Sequence, residues 1–168
     1  MPFTFRQGLE LDADALCAIL NPIIQKGGTT AYMQPIPVDK MFTNYIDNPL
    51  KISCILVEEN GQALAFQMLK RAEAEQLPYL SGPENWSIIA SFAKLGQQAR
   101  GVGVQMFEHT VKAARDAGVT GIDATIRADN VAGLAYYSRI GFKDFTVTKN
   151  APLGDGTHVD RIHKLYYL

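Results

Sequence analysis

Between an apolar segment, Ser87 to Ala93, and an amphipathic one that starts near Val102, the chain reads Gln98-Ala99-Arg100-Gly101-Val102-Gly103. A glycine-bearing turn that feeds a helix start lets several backbone N–H groups converge with no Cβ in the way, and the helix dipole adds partial positive charge there. The stretch predicts a phosphate cradle. The helix behind it is expected over Val102 to Ala117, with Val102, Met106, Val111 and Ala114 along one stripe, Arg115 in the last turn and Gly118 as the stop.

Two common phosphate motifs fail on these residues. Gly96 and Gly101 have the spacing of P-loop glycines, but Val102 and Gly103 stand where Lys and Ser/Thr must reach the phosphates and Mg²⁺. The dinucleotide fingerprint needs a glycine where Met106 stands, although Asp123 has the distance of its acidic residue.

The stretch does fit Q/R-x-x-G-x-G/A. Further on, Asn130-Val131-Ala132-Gly133-Leu134-Ala135-Tyr136-Tyr137-Ser138-Arg139-Ile140-Gly141-Phe142 fits N-x-x-A-x-x-L-Y-x-x-x-G-F, with Asn130, Tyr137, Gly141 and Phe142 in register. In these two motifs, and in their order, the chain resembles the GCN5-related N-acetyltransferase (GNAT) superfamily from about Phe3 to its last residue. The resemblance implies an α/β (α+β mixed) fold, a central mixed, mostly antiparallel sheet of about six to seven strands flanked by about four helices.

It also implies acetyl-CoA as co-substrate. The pyrophosphate would lie on the amides of Gln98, Ala99, Arg100, Gly101, Val102 and Gly103, and the pantetheine arm beside Ala93 and Leu95. Asn130 would join the hydrogen bonds to the pantetheine or adenine side, while the Arg100 side chain either pairs with a phosphate or points to solvent. The reaction implied is direct attack of a primary amine on the acetyl carbonyl, with a backbone N–H near Ala93 as oxyanion donor and no acyl-enzyme. Tyr137 occupies the position that meets the departing sulfur and is the catalytic candidate. A phenol near pKa 10 is a weaker acid than a thiol near 8.5, so full proton transfer is uphill by about 2 kcal/mol and hydrogen bonding to the thiolate is the larger role. Packing is the alternative for Tyr137 and the default for its neighbour Tyr136.

The composition narrows the field. The 168 residues, 47% hydrophobic, are the size of one domain with a well-buried core. Sixteen Lys and Arg against 17 Asp and Glu leave a net charge of −1, which gives no global attraction to nucleic acid or anionic lipid. Cys17 and Cys54 have neither C-x-x-C spacing nor a partner cluster and read as small buried hydrophobes in a reducing compartment, not as nucleophiles or a disulfide. With no leader-like start and no apolar run of bilayer length, the expectation is a soluble, cytoplasmic protein.

Phe3 to Arg6 predicts a first strand, and Asp12 a cap for a helix carrying Leu16, Ile19, Leu20, Ile23 and Ile24, with a kink or break near Asn21 caused by Pro22. An irregular loop, Gln25 to Pro37, precedes a second helix over Val38 to Ile46. Ile52 to Glu58 and Gln62 to Leu69 form a hairpin through Asn60-Gly61. A polar connection, Arg71 to Glu84, leads to the strand near Trp86. Thr120 to Arg127 is a strand, Val131 to Ile140 a helix, and Phe145 to Thr148 and His158 to Tyr167 are strands. Asp160, Arg161 and Lys164 read as an exposed charged edge.

No residue identifies itself as the base that deprotonates the amine. Glu73, Glu75, Glu84 and Asp123 are weak candidates, and a water chain is the alternative. His109, His158 and His163 lack metal-ligand spacing, so no metal is expected. By the resemblance, the acceptor is chosen by the loops Gln25 to Pro37 and Asn150 to His158. Thr29-Thr30-Ala31-Tyr32 resembles the same loop of phosphinothricin and amino-acid N-acetyltransferases, which implies a small amine with a carboxylate. A plain turn fits those threonines as well, and the loop has no Arg for a bidentate grip, only Lys26. The partner expected is a small-molecule amine, with no nucleic acid and no membrane, and a homodimer stays open. The rival reading is a non-catalytic acyl-CoA binding or sensing module; acetylation of a protein N-terminus or lysine is the third.

Overall fold

The computed structural model describes residues 2–97 and 100–168. Seven strands form one sheet: β1 Thr4–Gln7, β2 Lys51–Glu59, β3 Gln62–Arg71, β4 Trp86–Ala93, β5 Gly121–Arg127, β6 Lys143–Pro152 and β7 His158–Tyr167, in the order β1-β2-β3-β4-β5-β7-β6. Every neighbouring pair is antiparallel except β4 and β5, which makes the sheet mixed but mostly antiparallel, as expected. Four helices flank it: α1 Ala13–Lys26, α2 Val38–Met41 with a π-turn over Phe42–Ile46, α3 Val102–Asp116 and α4 Val131–Arg139.

Local chemistry accounts for most of these elements. Asn60 and Gly61 both take positive φ, 52° and 75°, which is what a two-residue hairpin turn needs to match strand twist. Strand alternation then divides the core. Cys54, Leu56, Phe66 and Met68 turn to one face, where α1 and α2 cover them with Leu16, Leu20, Ile23 and Met41. Ile122, Ala124 and Ile126 turn to the other, under Phe107, Val111 and Ala114 of α3 and Tyr137 of α4. Leu16, Leu20, Leu56 and Phe66 have no exposed surface, so each contributes about 1.5–3 kcal/mol of burial.

Three local expectations are corrected. The first helix runs unbroken through Pro22; the acceptor that proline leaves unused is the carbonyl of exposed Ala18, which water can serve. Asn21, one residue earlier, holds the α1–α2 loop by accepting from Ile36 N at 2.8 Å and donating to Ile36 O at 3.0 Å. Asp12 does not cap α1 with its side chain. Its carboxylate instead takes Arg6 at 2.7 Å and the Leu9 N–H at 2.7 Å, while Arg6 also grips Glu58, which ties β1, β2 and the start of α1 together. Finally, β7 is an interior strand. Lys164 is therefore buried, with Ser138 and Asp144 as partners, and β6 forms the edge.

Candidate active site

The parallel pair is where the sheet opens. β4 and β5 are in register at Trp86↔Gly121, Ser87↔Ile122 and Ile88↔Asp123, and no further. Beyond Ile88 the remaining length of β4, Ile89 to Ala93, has β3 on one side and, among the described residues, no strand partner on the other. A strand without its neighbour leaves N–H and C=O groups free to bind an extended ligand.

α3 starts behind the end of β4. Gly101, in the left-handed region at φ 76°, is its N-cap, and no side chain among the described residues caps that end. The amides of the first turn therefore remain available to an anion. Gln98 and Ala99 lie outside the described residues. Val102 is buried, and half-buried Ala93 packs in the same cluster, while Leu95, about a third exposed at 36%, lies on the turn between them. The Arg100 guanidinium makes two hydrogen bonds of 2.8 Å to the Glu59 carboxylate, a third of 3.0 Å to Gln97, and lies 5.1 Å over the Phe3 ring. It is held against the β2–β3 hairpin.

A buried polar network lines the α3–α4 side of the opening. Tyr137 Oη donates to Ser91 Oγ at 2.8 Å, and Gln67 Nε2 donates to the same oxygen at 2.8 Å and to Tyr136 Oη at 3.1 Å. Gln67 Oε1 in turn accepts from Thr110 at 2.6 Å. Burial pushes the Tyr137 phenol well above its ordinary value and the Tyr136 phenol up to about 12, so both stay protonated donors. Tyr136 does more than pack, because its hydroxyl donates to Gly103 O in the first turn of α3. Gln67, Ser91 and Thr110 escaped the sequence reading; the one signal was a polar residue, Gln67, inside the apolar run Ala63 to Leu69.

Asn130 caps α4. Its Oδ1 accepts from Gly133 N at 3.0 Å and its Nδ2 donates to Thr29 O at 3.3 Å. With Arg127, which donates to Thr30 O at 3.0 Å, it fastens the α1–α2 loop to the β5–α4 corner. Tyr32 of that loop meets Tyr45 hydroxyl to hydroxyl at 3.1 Å, and the Tyr45 ring packs edge-on against Phe66 and Phe92. Met33 lies beside Gly154, so this loop and the β6–β7 turn do come together.

Among the carboxylates weighed as bases, Glu73, Glu75 and Glu84 are exposed on the β3–β4 connection. Asp123 is fully buried, 3.9 Å from His163 Nδ1 and hydrogen-bonded by Tyr79 and Thr125. Loss of solvent raises its carboxyl above the usual range and lowers the imidazole of His163. Cys17 and Cys54 are buried free thiols, raised by burial, in the case of Cys54 to about 12, and neither is a nucleophile. Among the described residues no cluster of three or more His, Cys, Asp or Glu is placed to hold a metal, and no helix is long and apolar enough to cross a membrane.

The same architecture recurs in solved structures. A ribosomal-protein-alanine N-acetyltransferase from Brucella melitensis superposes with a TM-score of 0.84 at 18% identity, covering 98% of this chain and 99% of that one. An N-acetyltransferase from Staphylococcus aureus Mu50 gives 0.85 at 16%, covering 99% of both. A GNAT superfamily phosphinothricin acetyltransferase from Sinorhizobium meliloti, in complex with acetyl-CoA, gives 0.83 at 15%, covering 100% of this chain and 89% of that one. No curated protein sequence matches the chain. The sequence profile of the acetyltransferase (GNAT) family matches residues 16–142, from the first helix through both motifs, and to that family the chain belongs.

Proposed function

We infer that residues 1–168 form one acyltransferase domain that moves the acetyl group of acetyl-CoA to a primary amine of a small molecule by direct attack in a ternary complex. The observation that carries this reading is the alignment of three features: an uncapped α3 N-terminus behind Gly101, an unpaired length of β4 leading from it, and the Tyr137 hydroxyl at Ser91 on the wall of the opening.

Acetyl-CoA supplies an activated acyl group on a thiolate leaving group. The chain's own part is to orient and to stabilise. The amides of Arg100 to Gly103, with Gln98 and Ala99, hold the pyrophosphate; Ala93 and Leu95 flank the pantetheine arm, with Asn130 at the far corner. Free N–H groups of β4 near Ala93 stabilise negative charge on the carbonyl oxygen. Tyr137, too weak an acid to lose its proton, turns its hydroxyl hydrogen from Ser91 to the sulfur.

A small acceptor is supported by the closure of its side of the opening, where Tyr32 bonds Tyr45 and Met33 meets Gly154. Acetylation of a protein N-terminus needs an open groove there, and the Brucella neighbour keeps that alternative in the test. Calorimetric titration with acetyl-CoA, CoA and ATP comes first, followed by CoA-thiol release with phosphinothricin, amino acids, polyamines and an alanine-terminated peptide. Selective binding of acetyl-CoA and CoA with turnover of a small amine supports the reading. Binding without turnover of any amine points to an acyl-CoA sensing module, and no binding overturns both.

A further inference from the structure

The face of the opening away from Tyr137 carries a buried polar cluster that the cradle does not use. Asp123 makes the last β4–β5 pair, and Thr125 is the next β5 residue on the same face, exposed where β4 has already diverged. Asp123 Oδ2 accepts from Thr125 Oγ1 at 2.7 Å and Oδ1 from Tyr79 Oη at 2.7 Å. Both hydroxyl hydrogens are thus committed to the carboxylate, which leaves both oxygens as acceptors. His163 Nδ1 lies 2.7 Å from Tyr79 Oη and 2.9 Å from Thr125 Oγ1, so it carries the hydrogen that joins them. Nε2 is then the acceptor for Thr148 Oγ1 at 2.7 Å. Thr148 is exposed on the edge strand. The chain of hydrogen bonds crosses β5, β7 and β6 and has an exposed hydroxyl at each end.

A network serving only to satisfy buried atoms has no need of an ionisable pair. The described residues give Asp123 no lysine or arginine partner, and its nearest basic group is His163 at 3.9 Å. An ionised carboxylate without a cation is costly there. The hydrogen bonds above belong to the ionised carboxylate beside a neutral imidazole, and burial makes that form ready to take up one proton, in keeping with the raised carboxyl and the lowered imidazole. The other titratable or charged groups that bear on the pair are Tyr79 from the β3–β4 connection, Arg161 on β7, whose charge further lowers the imidazole, and Tyr137 from α4 across the sheet.

We propose that Thr125 takes the proton of the acceptor amine and hands its own hydrogen to Asp123, while His163, anchored by Thr148, holds Thr125 and Asp123 in place. This rests on the acetyl-transfer reading above. One ammonium N–H bond breaks as an O–H bond forms at Thr125 Oγ1, and the hydrogen that Thr125 held moves to Asp123 Oδ2. The nitrogen keeps the electron pair with which it attacks. The proton rests on Asp123 and returns through Thr125 to water once the opening empties. Thr125 is the catalytic residue; Asp123 and His163 act through it and are positioning residues.

The first test needs no amine: ring ¹⁵N and ¹H resonances of His163 are followed from pH 4 to 9 in the free wild-type protein and in Asp123→Asn. The wild-type ring should report one transition above the normal carboxylate range, and Asp123→Asn should abolish it. A flat wild-type ring, or a transition that survives Asp123→Asn, overturns the proposal. The second test is the kcat–pH profile with the best amine of the screen. The wild-type rate should rise with pH through that same transition, because the relay must be empty to accept a proton. Thr125→Val should lower kcat about 100-fold, with acetyl-CoA affinity unchanged, and Thr125→Ser should restore it. An acidic limb that persists in Asp123→Asn sinks the relay alone, whereas loss of acetyl-CoA binding in the wild type sinks the acetyl-transfer reading.

Discussion

The hydroxyl of Tyr136 donates to the carbonyl of Gly103 at 2.8 Å, and the tyrosine ring occupies the space that a side chain at 103 would need. A Cβ built there would stand 2.6 Å from Tyr136 Cε1. The second glycine of the cradle thus answers to the neighbouring helix as well as to any phosphate. Gly103→Ala should cost about 1–3 kcal/mol through overpacking and should weaken acetyl-CoA binding as the first turn of α3 shifts. Adding Tyr136→Leu should recover the stability in urea titrations; a double variant no more stable than the single one would mean that the contact is not the cause.

Tyr137→Phe removes one hydroxyl from a side chain that is otherwise sealed in the core, and Gln67 remains to donate to Ser91. Stability should fall by about 1 kcal/mol or less. Acetyl-CoA affinity by calorimetry should hold, while kcat by thiol release falls about 10-fold or more. An unchanged kcat would assign Tyr137 to packing.

Gln67 has no exposed surface and is bonded to Thr110, Ser91 and Tyr136 at once. Gln67→Leu has nearly the right volume but takes one partner from each of the Thr110 and Ser91 hydroxyls, which keep only Met106 O and Tyr137. A loss of about 1–3 kcal/mol is expected, together with a higher dissociation constant for acetyl-CoA, because Tyr136 loses the donor that holds it over α3. Stability equal to wild type would show that water replaces the amide.

Acid should loosen the junction of β1, β2 and α1. Arg6 and the Leu9 N–H hold the Asp12 carboxyl below its ordinary value. A depressed carboxylate contributes stability that is fully present above its unfolded pKa of about 3.9 and is lost as pH falls through the folded value. Urea midpoints should therefore drop below about pH 4, and Asp12→Asn should be less stable at neutral pH with a flatter acid limb. Parallel acid limbs in the two proteins would remove Asp12 as the source.

The sequence reveals what short-range chemistry decides. The Asn60-Gly61 turn, the stripe Val102, Met106, Val111 and Ala114, and the extent of β7 all follow from residues within a few positions of each other. What escaped depends on neighbours far along the chain. Lys164 looks like a solvated charge until β7 is seen between β5 and β6. Asp12 has the composition of a cap, yet Arg6 wins its carboxylate with two charge-assisted bonds. Asp123, His163, Tyr79 and Thr148 lie on four separate segments, so only the strand register gathers them; of the four, Asp123 alone stands out in the sequence as a candidate base, an acidic residue in a buried strand.

The strand order also sets a timetable. β6 precedes β7 in the chain but reaches the sheet only through it, so a growing polypeptide carries β6 out of the ribosome with no ladder to join. Until β7 follows, the β5 edge stays open, and Phe145 and Val147, exposed even in the finished protein, travel on an unpaired strand. Nascent chains paused between the two strands are the form in which this protein is most open to edge pairing and to chaperones.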